Sequence, residues 1–232
     1  MSAIAKHTAN GANATNLVAA LVRAEGSSSH AYTGSFDLLA GKHASRNLAD
    51  AVHHICILHG RHPGVADHAA NRTTHDDARS WLIDTVDGFI RERTFLTRLV
   101  VAAGPLPSTP AQSEAEAAVN GQRHAIDMLA QSDRAGCALG AALALVLDWH
   151  AIRGIVDVAA GRFGIEAPTI AMPSVQETVD LANKVATSLP VERAMSFRRA
   201  AIAGPASRLV GSSRSPSACP QRLLIHLFGT FA

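Results

Sequence analysis

The chain has 232 residues, 47% of them hydrophobic and 17% charged, with a formal net charge of +2. This is too apolar for a disordered protein and long enough for one domain with a sizeable core. Three cysteines, none in a CxxC pair, exclude a disulfide scaffold and a structural zinc knuckle. Aromatic residues make up only 4% of the chain, while alanine supplies about a fifth, well above ordinary usage. Alanine favours helices, and sheets want aromatic and β-branched residues. No run alternates with period two. Composition and pattern therefore predict an all-α fold.

Residues 1–14 are polar, and Thr15 to Ala24 has the pattern of a short helix. The stretch GSSSHAYTGS (26–35) has linker composition, so 1–35 is expected to be a loose N-terminal segment. A first core helix is predicted from Ala44 to His59, with Leu48, Val52, Ile55 and His59 on one seam and Gly60 as its stop. HGRHPG (59–64) is a turn, followed by a short helical turn around 65–70. Thr73 and Thr74 each precede an aspartate by three residues, an approximate capping box. The helix they open carries the stripe Leu82, Val86, Phe89, Arg93, Leu96, Val100, Ala103, and Gly104-Pro105 ends it. After the rigid GPLPSTP connection (104–110), an alanine-rich helix is predicted from Ala111 to Gln131. A long helix follows over 134–161, with Ala141, Leu145, Asp148, Ile152, Ile155 and Ala159 on its stripe. Ser174 and Glu177 form a capping box for a helix reaching Leu189, and a last helix is expected after Pro190. Short loops between long amphipathic helices predict an antiparallel helical bundle of five to seven helices over 36–197.

The longest apolar stretch, Ala135 to Leu147, would span ~20 Å as a helix, short of a ~30 Å hydrocarbon core. It reads as a core helix, and no transmembrane segment is expected. No signal peptide is evident, because no apolar run follows Lys6. A cytoplasmic location is the expectation, and Cys56 and Cys137 fit a reducing compartment. Charge is uneven. Six arginines and no acidic residue lie from Arg193 onward, which leaves fifteen basic against nineteen acidic groups in residues 1–192. The tail over 198–232 is therefore basic and expected to be disordered. It is open to three readings: a contact for an acidic partner, an inert extension, or an altered reading frame. It lacks interleaved aromatics and any nucleic-acid motif, so no nucleic-acid partner is expected.

The segments HGRHPG, AAGPLPSTP and QSDRAGCALGAALALVLDW together resemble an uncharacterised bacterial all-helical family, a domain of unknown function. The resemblance covers about residues 45–195 and implies no activity. Beyond Phe197 the chain departs from that family's pattern, which is one reason for the reading-frame alternative.

Two polar constellations stand out. The first interrupts the core seams. Arg93 and Asp148 break the stripes of two helices, and Gln122 sits on the seam of the helix between them. Arg93 lies fourteen residues before the midpoint of the 104–110 turn and Gln122 fifteen after it. Reflecting Gln122 through the next turn lands ~6 Å from Asp148 along the axis, within an arginine's reach. An interior cluster of Arg93, Gln122 and Asp148 is therefore predicted, with His124 and Glu92 flanking it. It serves either as a buried salt bridge that fixes helix register or as a site for a small anionic ligand.

The second constellation is a histidine-rich corner, with six of the twelve histidines between 53 and 75. His59, His62 and His75, with Asp76 or Asp133, could supply the three or four ligands of a metal site. The spacing matches no metal motif, and surface and turn histidines are the competing reading. His53 and His54 fall off the seam and are expected to face solvent near Asp50. No glutamate has a histidine three residues later, which argues against a di-iron bundle. P-loop, GxGxxG, HExxH and GxSxG patterns are absent too. These readings point to a non-catalytic module that binds a small ligand or a protein partner. The alternative is an enzyme or carrier built on the interior polar site, with a metal at the histidine corner. No cofactor and no oligomeric state can be read from the residues.

Overall fold

The most apolar stretch of the chain becomes the centre of the fold. Every residue from Cys137 to Trp149 is buried, and Leu143, Trp149 and Ile152 are fully enclosed. The computed structural model describes residues 18–106, 112–134 and 136–188. Among them there is no strand, and the architecture is an all-α bundle. Its helices are α1 (18–25), α2 (Phe36–Leu39), α3 (Ala44–His59), α4 (Val65–Arg72), α5 (Asp76–Ala103), α6 (Gln112–Ala130), α7 (Cys137–Phe163) and α8 (Val175–Ser188). A 3-10 turn, Ser27–Ser29, joins α1 to α2. Helix α7 packs against α3, α4, α5, α6, α8 and the 3-10 turn. It is the one helix among the described residues long and apolar enough to cross a membrane, and 67% of its most apolar window is buried inside the protein.

Local chemistry explains most of the boundaries. Helix α3 ends where the Gly60 N–H donates to the Cys56 carbonyl at 2.8 Å. The capping box of α8 forms as its sequence predicts: Ser174 N–H donates to Glu177 Oε2 at 2.7 Å, and Glu177 N–H donates to Ser174 Oγ at 3.2 Å. Helix α5 differs. Its N-cap is His75, with no side-chain cap bond, so the box expected from Thr73 and Thr74 is not used. Asp76 and Asp77 instead place negative charge in the first turn, where it favours the helix dipole. The helix expected after Pro190 and the basic tail lie outside the described residues.

Two expectations fail for one reason, which is that polar composition was read as exposure. Residues 18–35 were expected to belong to a loose segment, yet Val18, Val22, Ser27 and Tyr32 are buried against the bundle. The turn comes so close to α7 that a Cβ on Gly26 would lie 2.6 Å from Asp148 Oδ1 and 2.3 Å from the Val22 carbonyl oxygen. Only glycine fits there. Likewise His54 and Asp50 are each 5% exposed rather than solvent-facing, and His53 is half-buried with Nε2 2.8 Å from the Gly104 carbonyl. Burial pushes the His54 imidazole down to about 4. The α3 seam is thus wider than a single apolar stripe because α5 and α6 both pack on it.

Candidate functional site

The inward stripe of α5 carries one cation, Arg93, past the start of α4. There the chain turns through His62-Pro63-Gly64, and Asp67 closes the first turn of α4 by accepting the Gly64 N–H at 2.7 Å. The same carboxylate oxygen accepts Arg93 Nη1 at 3.0 Å, while His62 Nδ1 lies 3.3 Å from its other oxygen. Arg93 also reaches the Arg61 carbonyl at 3.5 Å. Gly64 makes this approach possible, since a Cβ there would sit 3.2 Å from Arg93 Nη1. Burial alone would raise the Asp67 carboxyl, but the Gly64 N–H, the Arg93 guanidinium and His62 together outweigh it and hold the group below its usual range.

Around this cluster opens a cleft of ≈ 200 Å³. Its walls are the end of α3 with the 60–64 turn, the start of α4, α5 at Phe89 and Arg93, α6 at Arg123 and Asp127 with Gln131 just past its end, and Leu145 of α7. The volume lies below the ~300–1,000 Å³ of pockets that hold drug-sized ligands. Two arginines meet here from different helices, and each keeps a buried donor without a hydrogen-bond partner: Arg93 Nη2 and Arg123 Nε. A buried, unsatisfied donor costs about 1–3 kcal/mol, more when charged. An acceptor that reaches either atom would recover that cost. His59 lines the same cleft, edge-on to Trp149 with ring centroids 5.3 Å apart, and full burial pushes it down to about 3. It is a neutral imidazole at any physiological pH.

The predicted interior cluster does not form. Arg93 pairs with Asp67, while Asp148 accepts the Ser27 N–H at 2.6 Å and the Ser27 hydroxyl at 2.5 Å. Burial pushes the Asp148 carboxyl up to about 6, against the pull of the two Ser27 donors. Glu92 pairs with Arg153 at 3.2 Å. Gln122 is half-buried on α6 and His124 is exposed; none of Gln122, His124, Glu92 or Asp148 lines the cleft. The physical reason is α4. Folding α5 directly onto α6 leaves no room for it, whereas here α4 packs against α5, α6 and α7. The reflected register is nonetheless close: Arg93 lines the cleft together with Arg123, the residue after Gln122.

The proposed metal corner is also corrected. His59 and His62 line the cleft, but His59 faces Trp149, His62 faces Asp67, and His75 Nδ1 lies 4.0 Å from Asp77. Asp133 pairs with Arg72 at 3.1 Å. Among the described residues no three His, Cys, Asp or Glu side chains converge as a metal site would require. Arg61, Asp67, Arg123, Asp127 and Gln131 were not singled out from the sequence. The spacing of Arg123, Asp127 and Gln131 at i, i+4 and i+8 was the available signal, but such a ridge usually faces solvent.

Fold and cleft together define a class: an all-α bundle with a small, arginine-flanked cleft at the junction of α3, α4, α5 and α6. The chain belongs to a family of unknown function, DUF6975, whose profile matches residues 22–209. That match extends beyond both ends of the 45–195 resemblance, taking in the second half of α1 and the Ser27 turn. No curated protein and no solved structure matches the chain.

Proposed function

We propose that the protein is a non-catalytic binding module that takes a small anion into the cleft between Arg93 and Arg123. The observation that carries this reading is the pair of arginines lining one cleft, Arg93 and Arg123, each of which keeps a buried donor, Nη2 and Nε, without a hydrogen-bond partner. Asp67 is already committed to Arg93 and to the Gly64 backbone, so it holds the arginine in place. The buried α7 and the Cys56 thiol support a cytoplasmic location. One feature favours an enzyme instead. His62 is oriented by Asp67 at the mouth of the cleft, as a general base is oriented by a carboxylate.

Thermal melts in sulfate, inorganic phosphate or acetate, against chloride at equal ionic strength, test the binding reading. A saturable rise in Tm is expected with at least one of the three anions, and Arg123→Gln should abolish it. Equal melting in all four salts would contradict it. Retained binding in His62→Ala would speak for a module; a turnover assay lost only in that variant would speak for the enzyme.

A further inference from the structure

The cleft is not a uniformly polar hole, and its walls say more about the ligand than its charge. Resting on the anion-binding reading above, we propose that the ligand is an amphiphilic monocarboxylate, a single carboxylate on a short apolar body.

Three features of the walls support it. First, Leu58, Pro63, Val65, Phe89 and Leu145 line the cleft together with its arginines. An inorganic anion would leave that surface wet, whereas an alkyl or aryl body would cover it. Second, the permanent charges leave an excess of one. Arg61, Arg93 and Arg123 line the cleft with Asp67 and Asp127; of its three histidines, His59 is neutral, and His62 and His68 add positive charge only when protonated. A monoanion balances that excess, while a phosphate monoester would overfill it. Third, each of Arg93 and Arg123 keeps a buried donor without a partner, while Arg93 Nη1 is held by Asp67. Donors carried by two different helices suit the two oxygens of one carboxylate. The ≈ 200 Å³ volume excludes a nucleotide or a long acyl chain and suits a body of hexanoate or benzoate size.

The test is a calorimetric series on the full chain at constant ionic strength, with acetate, butyrate, hexanoate, 1-hexanol and inorganic phosphate as probes. Affinity should rise from acetate to hexanoate by about fourfold per added methylene until the cleft is full. Hexanol should bind at least tenfold more weakly than hexanoate, and phosphate should also bind more weakly. Arg123→Gln should lose at least tenfold for hexanoate while its circular dichroism melt stays near wild type. Phosphate or acetate binding as well as hexanoate would overturn the amphiphile and leave the anion site standing. Hexanol binding as tightly as hexanoate, or no probe binding at all, would overturn the anion site itself.

Discussion

Glu92 and Arg93 are neighbours on α5, both buried, and each sits in an ion pair, yet they do different work. On the Glu92 side the arginine is held at every nitrogen. Arg153 places Nη1 3.2 Å from Glu92, Nη2 2.6 Å from the Pro168 carbonyl and Nε 3.1 Å from Asp157, and its guanidinium lies 4.9 Å over the Phe95 ring. Arg153 Nε and Glu92 Oε2 are buried without a hydrogen bond, but neither residue lines the cleft. On the Arg93 side the pair with Asp67 leaves a donor over, Arg123 brings a second, and a cleft opens between them. A buried ion pair alone is therefore a poor marker of function, since it can simply tie helices together. Hydrogen-bonding capacity left over beside open space is the better marker.

Breaking the Glu92–Arg153 pair should cost most. Arg153→Ala strands Glu92, 1% exposed, without its counter-charge, and a loss of about 3–5 kcal/mol is expected from urea unfolding. Burial already pushes the Glu92 carboxyl up despite Arg153, so its removal leaves a group that must take a proton. A change below about 1 kcal/mol would show that the pair is not a fastening.

Acid sharpens the contrast through groups of opposite sign. His59 is held down to about 3, so the unfolded chain takes up its proton first as pH falls. Stability it contributes at pH 7 is lost progressively from about pH 6.5 towards 3, on the order of several kcal/mol in all. His54, held at about 4, acts in the same direction. Asp148, raised to about 6, does the reverse: the native state takes the proton first, and its contribution rises as pH falls from about 6 to 4. Melts between pH 7 and 4 should thus fall less steeply in His59→Phe than in wild type, and more steeply in Asp148→Asn. Parallel profiles in all three would contradict these assignments.

A smaller effect is expected at the turn. Ser27→Ala removes one of the two donors to Asp148 and should cost about 1–3 kcal/mol by chemical denaturation. It should not alter anion binding, because neither residue lines the cleft. A binding defect in this variant would mean that the Ser27 turn and the cleft are coupled.

Much of the frame could be read from residue order. The seam Leu48, Val52, Ile55, His59 marks α3 with its observed bounds, and Ser174 with Glu177 marks the start of α8. The apolar run after Ala135 marks the central helix. The site was only half legible. Arg93 betrays itself by interrupting an apolar stripe, but its partner Asp67 sits on an eight-residue helix whose packing no periodicity announces. Arg123 lies on a ridge with Asp127 and Gln131, and residue type does not distinguish a ridge that faces water from one that faces a cleft. Ser27 lies in a stretch of glycine and serine that reads as linker, and only tertiary contact with α7 shows it to be buried.

The most direct measurement follows the arginine Nε–H resonances of the protein by nuclear magnetic resonance during titration with hexanoate and, separately, inorganic phosphate, at constant ionic strength. The account predicts a saturable shift of the Arg123 Nε–H with at least one of these anions, while the Arg153 Nε–H, 3.1 Å from Asp157 on a residue that does not line the cleft, stays in place. If Arg123 does not move with either anion, or if both arginines drift together without saturating, the cleft is not an anion site and the central claim fails.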